Sequence, residues 1–120
     1  MSIEAESPEP VSRTTLMTAH LHPPAVTDHV EVRRIRIQPN TAAGAHVHNG
    51  PVVGNIVEGS VIYQIAGAPE AVLRAGDTFF EPKDVRIERF DAQGDGATFL
   101  AYFLLEAGQH PELDFVDPDA

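Results

Sequence analysis

Turn-forming residues interrupt this chain so often that no long regular helix fits between the breaks. Ten prolines and nine glycines are spread over 120 residues, and the apolar runs between them are short. No window carries a sustained 3.6-residue periodicity. The pattern predicts many short strands, and so an all-β sandwich or barrel. With 42% apolar residues, the chain can build one hydrophobic core and is too short for two.

Strands are expected at residues 30–37, 52–57, 61–65, 71–74, 78–81, 85–90 and 97–105. In the first, Val32 lies on one parity and Ile35 and Ile37 on the other, with Arg33-Arg34 between them, which predicts a bulge or a change of face. Glu58-Gly59-Ser60 reads as a hairpin turn, and residues 91–96 (DAQGDG) read as a loop. The run ATFLAYFLL at 97–105 is apolar on both faces and reads as a central buried strand. Residues 13–22 (RTTLMTAHLH) alternate enough to form a further strand before the Pro23-Pro24 break. The domain organisation expected is a flexible arm at 1–12, the barrel at 13–106, and an acidic tail at 107–120 that can dock only through Leu113, Phe115 and Val116.

Charge removes several classes of partner. The formal net charge is −10, with one lysine among the eight basic residues, so phosphate-rich surfaces are repelled and neither nucleic acid nor an anionic membrane is an expected partner. There is no apolar run of 18 residues, and MSIEAESPEP carries neither a basic region nor an apolar segment. The expected location is therefore cytoplasmic. Cysteine is absent, which leaves His, carboxylate and water as ligands for any metal.

The chemistry concentrates between Gln38 and Glu58. His46 and His48 stand one residue apart, and on an extended strand such side chains leave the same face about 6–7 Å apart along the backbone. Two imidazoles so placed can converge on one metal ion. A second such pair, His20-Leu21-His22, lacks the flanking turns, and it reads with His29 and His110 as surface or core histidine.

The frame around the first pair resembles the first motif of the cupin family: a glycine, five residues, HxH, three or four residues, a glutamate, six residues and a glycine. Asn40 takes the first glycine position, where it tolerates a left-handed backbone, and Gly59 takes the last. Val52 stands at the glutamate position. The run from Gly76 resembles the second motif, with Gly76 and Pro82 in register, Asp84 at a glycine place, Ile87 at the histidine place and Asp91 at the asparagine place. Two of the family's four usual ligands are thus replaced by apolar residues. Many small cupins with a similar FFEP run keep a glutamate before the proline, and Glu81 is that residue here.

The resemblance implies a double-stranded β-helix, or jelly-roll barrel, and a homodimer. It also implies a divalent transition metal (Fe, Ni, Zn or Mn) held by His46, His48 and Glu81, next to a pocket lined by Val52, Ile56, Tyr63, Ile87 and Tyr102. A metal-binding cupin acting on a small organic molecule, by dioxygenase or isomerase chemistry, is the leading expectation. The alternative is a metal-free cupin whose apolar pocket binds a small molecule, or one that is purely structural.

Overall fold

The computed structural model describes residues 10–116. Seven strands run in the order β1 (His29–Ile37), β2 (His46–His48), β3 (Val52–Ile65), β4 (Ala71–Arg74), β5 (Thr78–Glu81), β6 (Ile87–Leu105) and β7 (Leu113–Phe115). All pairings are antiparallel, and there is no helix among the described residues.

Two long strands organise the sheet. β6 pairs with β1 over residues 97–105, with β3 over 87–103, and with β2 through His46↔Ile87. β3 takes β5 beside its first half and β4 beside its second. Each long strand bends from one face of the barrel to the other, and that bend encloses the core. Its largest fully buried members are Ile56, Ile87, Leu105 and Val61. Phe79, Phe90 and Phe99 form a mutually tilted cluster with ring centroids 4.8–5.8 Å apart, the range in which aromatic edges meet faces.

The bends account for two differences from the sequence reading. Glu58-Gly59-Ser60 is not a hairpin, because β3 runs through it, with register shifts between Ile56 and Glu58 and between Gly59 and Val61. Residues 91–96 are not a loop: they lie within β6, where Ala42 bridges Asp91 and the Ala92 amide donates to the Thr41 carbonyl. Gly59 and Gly96 both have positive φ, 76° and 71°. A Cβ on Gly59 would lie 1.9 Å from the Gly96 carbonyl oxygen, so only glycine lets the two bent strands meet there. Glycine at a strand bend and glycine at a turn look alike in one sequence.

β1 carries no bulge. Its register runs unbroken from His29↔Leu105 to Ile37↔Ala97, so Arg33 shares the inward face with Ile35 and Ile37 while Val30 and Val32 point outward, about half exposed. Residues 13–22 form no strand among the described residues. β7 falls inside the stretch read as a tail and pairs along the outer edge of β2. Of the arm expected at 1–12, residues 1–9 lie outside the described residues, as do residues 117–120 of the tail.

Candidate metal centre

Short turns aim the two histidines inward. The Val116 amide donates to the Ala45 carbonyl just before β2, and the Asp84 amide donates to the His48 carbonyl at its end. Asp84 reaches that position with φ 61°, and Asn40 has φ 53°. These are the two places where glycine would be expected, and Asn and Asp are the residues that best tolerate a left-handed backbone. β2 then presents His46 and His48 on one face, only 5% and 6% exposed, with Val47 between them turned away.

Glu81 arrives from β5. The register Val52↔Glu81 places it directly across the ladder from Val52, the valine at the glutamate position of the motif that the sequence resembles. Its carboxylate is 4% exposed; it accepts a hydrogen bond from His48 Nε2 and lies 3.5 Å from His46 Nε2. One ligand atom from each of the three residues lies within 4.8 Å of the others. Among the described residues no other group of three His, Asp or Glu side chains converges in this way.

The outward hydrogen bonds set the imidazoles. His46 Nδ1–H donates to the Gly44 carbonyl at 2.7 Å, which leaves Nε2 facing Glu81 and makes it the atom available to a metal. Burial works against a charged imidazole here, but the bond to Glu81 and the Gly44 carbonyl outweigh it and hold the His46 pKa above its ordinary value. Burial likewise pushes the Glu81 carboxyl up, while the two imidazoles pull it down further, below the usual carboxylate range. Without a metal, the three groups satisfy one another as a carboxylate between imidazole donors. With one, they would supply a two-His, one-carboxylate ligand set, of the kind that suits Fe(II), Zn(II), Ni(II) or Mn(II).

The three residues lie on the wall of a cavity of about 300 Å³. Val52 also lines it, with Phe79, Phe99 and Phe103. The other expected wall residues do not. Ile56 and Ile87 are packed wholly into the core, 1% and 0% exposed. Tyr63 turns its hydroxyl to donate to the Phe80 carbonyl, and burial followed by the Glu81 charge raises its pKa. Tyr102 has the wrong parity, since Phe99, Ala101 and Phe103 are the residues of this part of β6 that face the cavity. Sequence reasoning missed Arg33 and the wall formed by Pro111, Glu112 and Leu113. Arg33 shares parity with Ile35 and Ile37, but that signal was masked because the apolar Val30 and Val32 have the opposite parity. His20 and His22 stack 6.2 Å apart in an outer groove beside Pro82 and Lys83, separate from the buried trio.

This architecture recurs in solved structures. An oxalate oxidase in complex with the substrate analogue glycolate matches at 22% identity and TM-score 0.58, over 72% of this chain and 46% of its own. An RmlC-like cupin from Shewanella frigidimarina matches at 24% identity and TM-score 0.58, over 66% and 68%. The chain has the cupin fold. A Bacillus subtilis oxalate decarboxylase variant matches over 67% of this chain at 19% identity and TM-score 0.60, but over only 22% of its own length. This cupin barrel therefore spans under half of the oxalate oxidase chain and about a fifth of the decarboxylase chain. No protein-family model and no curated protein sequence matches it.

Proposed function

We propose that His46, His48 and Glu81 hold a divalent transition metal and that the site acts on a small organic molecule admitted to the adjoining cavity. The observation that carries this reading is the burial of a carboxylate between two imidazole Nε2 atoms at a cavity wall, with one imidazole oriented from behind by a backbone carbonyl. A buried carboxylate is expensive unless paired, and this pairing also meets the ligand count of an open metal site. A bound divalent ion would polarise a substrate oxygen or lower the pKa of a bound water. Much of the cavity wall is apolar, and His46 would have to give up any proton on Nε2 for an ion to bind there. An oxidase and a decarboxylase among the structures of similar fold make dioxygen chemistry or metal-assisted rearrangement the classes to assay first.

A second reading has its own support. The direct bond between His48 and Glu81 satisfies the trio without an ion, and the cavity is otherwise mostly apolar, as suits a metal-free binding module. Metal content of tag-free protein, measured by plasma mass spectrometry beside a His46→Ala, His48→Ala variant, separates the two. About one equivalent, lost in the variant, supports the metal site and leads to an anaerobic assay with Fe(II) and O₂. No metal in either protein, after incubation with Fe(II), Ni(II) and Zn(II), removes it.

A homodimer belongs to the same reading. The second edge of β1 is unpaired among the described residues, and Leu16, Val26, Val30 and Val32 lie exposed on or before that strand. Light scattering coupled to gel filtration tests it.

A further inference from the structure

Among the described residues, Arg33 is the one arginine or lysine on the cavity wall. Arg33 lies on the inward face of β1, opposite Ala101 in the ladder, and both residues line the cavity wall. Its neighbours Arg34 and Arg36 have the opposite parity, and Arg36 is engaged with Thr98 and the Asp95 carbonyl. The rest of the wall near Arg33 is Ile35, Phe99 and Phe103.

The guanidinium is oriented on two sides. Its Nε donates to Glu31, and its Cζ lies 5.3 Å from the centre of the Phe103 ring, a cation–π distance. Among the described residues no acceptor meets its two terminal amino groups. The same Phe103 ring lies 6.1 Å from the His48 imidazole on its other contact. One aromatic ring thus separates the half-exposed Arg33 guanidinium, whose terminal amino groups lie at the mouth of the cavity, from the buried His46, His48 and Glu81 group.

We propose that the cavity takes a small organic acid with an apolar body, its carboxylate held by Arg33 and its far end turned toward His46, His48 and Glu81. This deepens the ligand-site reading given above and rests on it. A guanidinium fork matches the two oxygens of a carboxylate. A phosphate dianion is disfavoured by Glu31 on the same guanidinium, by Glu112 on the wall and by the net charge of −10. A cavity of about 300 Å³ is at the small end of ligand pockets, which limits the body to one ring or a short branched chain.

The test compares phenylacetate, its neutral isostere phenylacetamide, and phenyl phosphate by titration calorimetry on the full chain, both metal-free and loaded with Zn(II). Phenylacetate is expected to bind at least tenfold more tightly than the amide in both forms. Arg33→Gln should bring the two within about twofold, chiefly by weakening the acid, with zinc stoichiometry retained and the melting temperature within a few degrees, while Arg33→Lys falls between. The proposal is overturned if no probe binds, if acid and amide bind alike, if phenyl phosphate binds best, or if the acid preference survives Arg33→Gln. A preference that survives Arg33→Gln but disappears in the His46→Ala, His48→Ala variant places the carboxylate on the metal: Arg33 is then idle and the metal reading stands. Should zinc fail to bind, the metal reading falls, and the metal-free comparison still decides the role of Arg33.

Discussion

Glu81 and Val52 face each other across the β5–β3 ladder. Glu81 thus shares a rung with the position at which the resembled first motif carries its glutamate, and we propose that it takes over that residue's part. Cross-strand partners on one face have Cβ atoms about 4.5–5.5 Å apart, within the reach of a glutamate side chain, so the two positions should be partly interchangeable. Glu81→Gln is expected to weaken Zn(II) affinity at least tenfold, and Glu81→Val more. Adding Val52→Glu to Glu81→Val should recover at least half of that loss on a logarithmic scale. Competition titration with a chromophoric chelator measures all three variants. No recovery in the double variant would mean that the valine position does not look onto the metal.

The metal-free protein should be most stable in mildly acidic solution. Glu81 has a folded pKa below its ordinary 4.5, so its contribution is complete above that pH and is lost as pH falls through the lower folded value. His46 has a folded pKa above its ordinary 6.5, so its contribution is complete below that pH and is lost as pH rises through the higher folded value. Both are complete between about pH 4.5 and 6.5. Melting temperatures in EDTA from pH 4 to 9 should peak in that window, and Glu81→Gln should flatten both limbs relative to wild type. Zinc affinity runs the other way and rises with pH as His46 loses its proton. A wild-type profile parallel to that of Glu81→Gln would show that the trio is not coupled.

Part of the fold and of the candidate site is legible in the sequence. Strand parity puts His46 and His48 on one face and the cupin-like frame singles them out, while Glu81 is suggested by the resemblance of its FFEP run; the three side chains do converge. Asn40 and Asp84 stand at the glycine places of the two motifs, and both have positive φ. What stayed hidden was long-range. Whether Gly59 and Gly96 mark turns or bends depends on the two strands meeting. The inward direction of Arg33 was obscured because Val30 and Val32, though apolar, point outward. Ile56 and Ile87 are apolar and close in sequence to site residues, but nothing local separates a core wall from a cavity wall.

The crossing of the long strands yields a paired prediction. Gly59→Ala places a methyl group against the Gly96 carbonyl, at an ideal separation of 1.9 Å, with φ at 76°. Strain and displacement together should destabilise the barrel by about 3 kcal/mol or more. Gly67→Ala is the control, since its φ is 79° and nothing lies within 4 Å of the added Cβ. Only the left-handed backbone then matters, about 1–2 kcal/mol. Urea denaturation of both variants measures the difference, and equal losses would mean that β3 and β6 do not meet at these glycines.

Asn49 ties the last strand to the strand that carries the histidines. Its Nδ2 donates to the His110 carbonyl at 3.0 Å, and its Oδ1 accepts from the Glu112 amide at 3.1 Å. The backbone adds the Asn49 amide to the Glu112 carbonyl at 3.1 Å. Pro111, Glu112 and Leu113 line the cavity, so this clamp holds one of its walls. Asn49→Ala removes two side-chain bonds, together about 1–3 kcal/mol, from a short strand whose three residues are all exposed. That loss should fall on local opening of β7 and leave the global melting temperature within a few degrees. Hydrogen exchange of the Val116 amide, which donates to the Ala45 carbonyl at 2.9 Å, should accelerate by about tenfold or more, while amides of β6 are unchanged. Equal acceleration in β6 would show that β7 opens only when the whole barrel does, making the wall a fixed part of the site.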